Sequence, residues 1–245
     1  MRKIFIICIF CLSASFIFGE EIFVSEPGNT NGTSCQAVRI KDTWFLTAKH
    51  CTDICNISCN VEVNIAGNIF KTSQQNVFWF KNRQGKNASY DIALIDFKNA
   101  KIPGSFKEPP IFIIDNSVRF SEPKIINRSL KIPFDINGNI GTVMSINPVF
   151  YGPKSQIIFT KDLGIFHGLS GAGVFTDKGE LVAITSAAAG QGNNVRFSVF
   201  AAFDDKVKEF LSGKGLSLYF KHANSPDFKD ITQDKEILIS LDNDK

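Results

Sequence analysis

Three residues of the 245-residue chain have the types that acyl transfer needs: His50 in TWFLTAKHC, Asp91 in SYDIALIDF and Ser170 in HGLSGAGVF. An imidazole can take and return a proton, a carboxylate can fix its tautomer, and a hydroxyl can attack a carbonyl once its proton has somewhere to go. His50 stands at the end of an apolar run and Asp91 at the mouth of another. Ser170 lies among Gly168, Gly171 and Gly173. Glycines let a backbone turn tightly and aim successive N–H groups at one point, which an oxyanion site requires.

Each residue has a plainer reading when taken alone. His50 would be a packed or surface histidine, Asp91 a surface acid at a strand start, and Ser170 an ornament of a glycine turn. Asp96 lies close enough to Asp91 to compete with it, but sits inside the apolar run. Beyond the first 19 residues the chain has four cysteines, Cys35, Cys51, Cys55 and Cys59. An even number in an exported chain points to disulfides, and four allow three connectivities. A zinc site of His50, Cys51, Cys55 and Cys59 is the competing reading. Disulfides are the preferred one, with no metal and no cofactor.

The three motifs together resemble the signatures of trypsin-like serine proteases with the chymotrypsin fold: TAKHC, DIAL and GLSGAGVF, in the order His, Asp, Ser and 41 and 79 residues apart (50 to 91 to 170). That order separates them from subtilisins and α/β-hydrolases. The resemblance runs from about Cys35 to Ser212. It implies a triad of His50, Asp91 and Ser170, an oxyanion hole from the N–H groups of Gly168 and Ser170, and a peptide or protein substrate. A cysteine directly after the histidine pairs in many members with one upstream, which implies Cys35–Cys51 and leaves Cys55 with Cys59. The substrate pocket falls on Gly164, Ile165, Phe166 and His167 before the serine and on Ser186, Ala187 and Ala188 beyond it. No carboxylate stands there, so a small or apolar substrate side chain is expected, with His167 leaving room for an acidic one.

Two departures stand out. Many relatives have Asp or Asn before the serine, where this chain has Leu169, and Ala172 replaces a usual glycine. No Ile-Val-Gly-Gly-like start follows the leader. A non-catalytic binding module on the same fold is therefore the alternative to an active endopeptidase.

The elements that must position these residues read as short strands. They include Ala37–Ile40, Trp44–Ala48, Val61–Ile65, Ile69–Thr72, Val77–Phe80 and Ile92–Phe97. After the breaks at Pro103, Gly104 and Pro109-Pro110 come Ile111–Ile114, Gly141–Ile146, Gln156–Thr160, Gly173–Phe175, Leu181–Ser186 and Val195–Phe200. Ala201–Ser212 reads as the one helix, with Val207, Phe210 and Leu211 on one face and Gly213 past its end. The expected fold is all-β: two packed antiparallel β-barrels of chymotrypsin type and a C-terminal helix. Residues 20–108 would carry His50 and Asp91, residues 109–213 Ser170 and the helix. Residues 214–245 read as a loosely attached polar tail, with His222 solvated.

Residues 1–19 have a basic start, an apolar core and a small last residue, the pattern of a secretory leader. No later run approaches 18 apolar residues, so no membrane anchor is expected. Removing Arg2 and Lys3 from 27 basic residues leaves 25 against 24 acidic ones. That balance carries no electrostatic footprint for nucleic acid. The expected location is outside the cytoplasm, secreted or periplasmic.

Overall fold

The computed structural model describes residues 19–56, 58–65, 67–80, 90–98, 100–103, 106–114, 124–136, 139–145, 148–151, 157–161, 168–191, 194–224 and 227–230. Residues 1–18, read above as most of a leader, the expected pocket residues Gly164, Ile165, Phe166 and His167, and residues 231–245 lie outside them.

Two sheets form the body. The first holds β1 (Glu20–Ser25), β2 (Gly32–Lys41), β3 (Trp44–Thr47), β4 (Asn60–Ile65), β5 (Asn68–Ser73), β6 (Val77–Trp79) and β7 (Ala93–Asp96), in the order β5-β4-β1-β2-β3-β7-β6. The second holds β8 (Ile111–Ile113), β9 (Lys124–Ile126), β10 (Leu130–Ile136), β11 (Asn139–Ser145), β12 (Val149–Tyr151), β13 (Ile157–Lys161), β14 (Gly173–Thr176), β15 (Leu181–Gln191), β16 (Asn194–Ala202), β17 (Phe220–His222) and β18 (Phe228–Asp230). Its main path runs β11-β10-β14-β15-β16-β13-β12-β9-β18, with β8 between β15 and β17.

Alternation makes the strands. β4 buries Val61, Val63 and Ile65 and turns Glu62 and Asn64 outward, the period of a half-buried strand. β7 instead is buried at all four positions, because β3 and β6 flank it and both faces are covered. Two clusters of buried side chains fill the interior: one draws on both sheets, and a second, with Phe112, Ile132, Val182 and Phe200, belongs to the second sheet alone. Val38, Phe45 and Leu94 from the first sheet pack in the same cluster as Phe175, Leu181 and Phe203 from beyond the chain's midpoint. Burying a side chain of this size stabilises the fold by about 1.5–3 kcal/mol. β1 lies against β10 and β2 against β14, so this seam runs beside the Ser170 turn.

Three expectations change. The helix, here α1, spans Asp205–Ser212 rather than starting at Ala201. Ala201 and Ala202 are buried rungs of β16, and Asp204 caps the helix by accepting from the Val207 amide at 2.9 Å. The antiparallel rule fails at β8, which pairs in parallel with β15 and β17. Residues 214–230 are no loose tail. β17 and β18 are strands of the second sheet, and Leu216 and Ala223 are buried. An ion-pair group fastens them: Arg128 meets Asp227 and Glu180, and Glu180 also meets Lys221. His222 is half-buried in β17, its Nε2 3.1 Å from Lys208 Nζ.

Candidate active site

Strand register brings His50 and Asp91 together. β3 and β7 are antiparallel neighbours, and Thr47 at the end of β3 faces Ala93 at the start of β7. The chain leaving β3 and the chain entering β7 therefore emerge at the same edge. Three residues past Thr47 stands His50, and two before Ala93 stands Asp91. His50 lies in a 3₁₀ segment, Lys49–Asn56, anchored by Thr52 Oγ1 donating to the Lys49 carbonyl and receiving the Trp79 indole N–H.

His50 Nδ1 is 2.6 Å from Asp91 Oδ2, and the His50 amide donates to Asp91 Oδ1 at 2.9 Å. An ionised carboxylate only accepts, so the ring donates through Nδ1 and leaves Nε2 free to act as a base. The Ser186 hydroxyl donates to the same Asp91 Oδ2 at 2.6 Å. The Asp91 side chain is 12% exposed and that of His50 43% exposed. The hydrogen bond to Asp91 raises the His50 pKa, against its partial burial and with added support from the Asp91 and Asp53 charges. Burial works against ionised Asp91. The hydrogen bond and charge of His50, the Ser186 hydroxyl and the His50 amide outweigh it and hold the carboxyl below its usual range. Asp96 is buried elsewhere in β7 and accepts from the Thr43 hydroxyl at 2.7 Å.

Both expected disulfides are present. Cys35–Cys51 closes 16 residues with a Cα separation of 6.2 Å, and Cys55–Cys59 closes four at 4.6 Å. By loop entropy they stabilise the fold by about 3 and about 2 kcal/mol. Cys51 is tied to β2 through the first bridge, and the His50 loop with it. The sulfurs of Cys35 and Cys51 lie with His50 in one group close enough for a metal, but both are spent in the disulfide and neither is a thiolate. Cys55 and Cys59 are bonded to each other, so the zinc set of His50 and three cysteines is overturned.

Ser170 is half-buried in a turn between two glycines with positive φ, Gly168 at 100° and Gly171 at 88°. Its carbonyl accepts from the Gln36 amide of β2 at 2.7 Å. Thr185 of β15 clamps the other side: its carbonyl takes the Gly171 amide and its amide donates to Ala172, both at 2.8 Å. Leu169 is fully buried, and its carbonyl accepts from the Ala172 amide at 3.0 Å. Ala172 is buried in the second core cluster. Among the described residues no hydrogen bond joins Ser170 Oγ to the His50 ring, whose Nε2 is 3.8 Å from Cys51 Sγ. Catalytic hydrogen bonds are often long before substrate arrives and tighten in its complex.

Of the expected pocket wall, Ser186 is buried and turned onto Asp91, and Ala187 is exposed. The register shift between Thr185 and Ala187 accounts for this: a bulge re-aims the side chain it carries. Ala188 stands in β15 opposite Ser198. The roles of Gln36, Thr185 and Ser186 at this site had no signal in the sequence beyond nearness to the motifs, since each depends on pairing between distant strands.

The family model described as Trypsin matches residues 22–109, the part that holds His50 and Asp91. This chain has the fold of the chymotrypsin-type serine proteases. A thermostable serine protease from an extremophilic microorganism superposes with a TM-score of 0.58 over 78% of this chain and 93% of that one, at 13% identity. HL collagenase also gives 0.58, over 83% and 95% at 15% identity. Neuropsin, a serine protease expressed in the limbic system of mouse brain, gives 0.52 over 79% and 93% at 16%. A search of the curated proteins found no sequence match. The trypsin-like character read from the motifs thus holds for the fold throughout and for the family match in the first sheet. Among the described residues no helix is long and apolar enough to cross a membrane.

Proposed function

We propose that the protein is an exported serine endopeptidase that hydrolyses peptide bonds through an acyl-enzyme. The observation that supports this is the His50–Asp91 pair, braced by Ser186, together with a glycine turn whose Ser170 carbonyl is held by Gln36, the neighbour of the Cys35 that is bridged to Cys51 beside His50. Ser170 Oγ attacks the substrate carbonyl carbon while His50 Nε2 takes its proton. The tetrahedral oxyanion lies against the N–H groups of Gly168 and Ser170. As the C–N bond breaks, His50 returns the proton to the leaving amine. Water, deprotonated by the same imidazole, then releases the acyl group and regenerates Ser170. Asp91 stays ionised throughout and stabilises the imidazolium, in keeping with its lowered pKa.

The substrate is a peptide or protein held as an extended strand, with the side chain before the cut directed toward Gly164–His167 and Ala187–Ala188. The absence of Asp or Glu from these positions favours small or apolar side chains. Two disulfides and the leader-like start support export, and cleavage near Gly19–Glu20 would release a chain that begins at β1.

Labelling with a fluorophosphonate tests the reading, because it needs both an activated serine and a working oxyanion site. The expected result is modification of Ser170, abolished in Ser170→Ala and strongly reduced in His50→Ala. A folded protein that takes no label is a binding module rather than an enzyme.

A further inference from the structure

Gln36 is an uncommon residue to find fully enclosed in a strand. It is 1% exposed, on a stretch of β2 where Cys35, Ala37 and Val38 are buried too. A buried primary amide must be hydrogen-bonded or it destabilises the fold. Here it is matched to the main-chain N–H and C=O of one residue of the other sheet. Nε2 donates to the Asp135 carbonyl at 2.7 Å, and the Asp135 amide donates to Oε1 at 3.2 Å. One side chain thus makes the two bonds of a strand rung, joining β2 of the first sheet to β10 of the second. β10 is in turn the neighbour of β14, the strand that follows the Ser170 turn.

The main chain of the same residue reaches the site from the other direction. Its N–H donates to the Ser170 carbonyl at 2.7 Å, and its carbonyl accepts from the Thr47 hydroxyl at 2.7 Å. Thr47 ends the strand that leads to His50. Cys35, one residue earlier, is bonded to Cys51, one residue after His50. The Gly171 Cα lies so close that a Cβ there would fall 1.9 Å from the Gln36 carbonyl oxygen. The nucleophile turn, the histidine strand and the second sheet all meet at this one residue.

We propose that Gln36 is a positioning residue for Ser170: its side-chain amide latches β10, and the latch fixes where its main-chain N–H holds the nucleophile turn relative to His50. The proposal rests on the reading of Ser170 as the nucleophile. A side chain that cannot both donate and accept loses the rung. Gln36→Met keeps the length and gives up both bonds. Ionised Gln36→Glu accepts only, and sets a charge against the Asp135 carbonyl. Either change frees the turn to shift relative to the base, and a displacement near 1 Å costs about a hundredfold in rate.

The experiment compares fluorophosphonate labelling of wild-type protein and Gln36→Met, with peptide kinetics and proton NMR on both. The expected result is a labelling rate constant down about tenfold to a hundredfold, kcat down in parallel and KM within about twofold. The far-downfield resonance of the His50 Nδ1 proton should stay in place, because His50 and Asp91 are positioned by β3 and β7. A merely structural residue would move the thermal midpoint and leave the rate constant of the folded fraction alone, and that outcome overturns the proposal. If Gln36→Met does not fold, amide exchange in wild-type protein decides. Phosphonylation of Ser170 should slow exchange at the Gln36 and Asp135 amides, and unchanged rates there refute the latch. Wild-type protein that takes no label removes the nucleophile reading and this proposal with it. Wild-type labelling with an unaffected Gln36→Met removes the proposal alone.

Discussion

Gly171→Ala is the substitution whose effect the geometry fixes most closely. At Gly171 φ is 88°, and a Cβ would lie 1.9 Å from the Gln36 carbonyl oxygen and 2.3 Å from Thr47 Oγ1. Both obstacles are strands or residues held by them, so neither swings away as a flexible side chain would. Restoring the 3.4 Å of ordinary contact from 1.9 Å requires a shift of about 1.5 Å between the turn and β2. Left-handed backbone in alanine costs about 1–2 kcal/mol and overpacking about 1–3 kcal/mol, for a loss of stability of roughly 2–5 kcal/mol. The shift also breaks the bond between the Gln36 amide and the Ser170 carbonyl, and at this size it should lower the fluorophosphonate labelling rate by about a hundredfold or more. Gly179→Ala supplies the control. Its φ is 77°, but nothing lies within 4 Å of the added carbon, so it should lose only about 1–2 kcal/mol and label normally. The assay is labelling rate beside chemical denaturation for both variants. If Gly171→Ala labels as fast as Gly179→Ala, the seam does not position Ser170 and the reasoning fails.

Two pH dependences follow from the same structure. The base must be neutral, so labelling should rise with pH through an apparent pKa above the ordinary 6.5 of histidine, and Asp91→Asn should move that midpoint downward while lowering the plateau. A midpoint unmoved by Asp91→Asn, followed by rate against pH, would show that the carboxylate does not act on His50. Glu20, at the start of β1, is pushed up to about 7 by burial and by Asp135, opposed by Arg39. Its folded pKa is above its unfolded value of 4.5, so the native state binds the proton more tightly. Stability should be greatest below about pH 4.5 in this respect and fall as pH rises toward 7. Glu20→Gln should flatten that slope in denaturation midpoints taken between pH 5 and 8, and an unchanged slope would contradict it.

Much of the fold was legible because its signals are local. Val61–Ile65 alternates, and the apolar face of Val207 and Leu211 is written at helical spacing. Strands without such a pattern were lost. Leu130–Ile136, which contains Pro133, was not among the expected strands, yet it pairs with both β11 and β14. Phe220–His222 is too short and polar to announce itself, and becomes a strand only because β8 offers it a partner. At the candidate site, residue types and chain order singled out His50, Asp91 and Ser170, and the family resemblance supplied the cysteine pairing found here. Ser186 was read as pocket wall, and it faces Asp91 because of a bulge that no local pattern encodes. Composition and motif fix which groups are available, since side-chain chemistry belongs to each residue alone. Which groups meet is set by register: Thr47 opposite Ala93, and Gln36 between Ser170 and Asp135, are contacts between segments 46 to 134 positions apart in the chain (47 to 93, 36 to 170). Strand pairing and burial choose those contacts only when the whole chain folds.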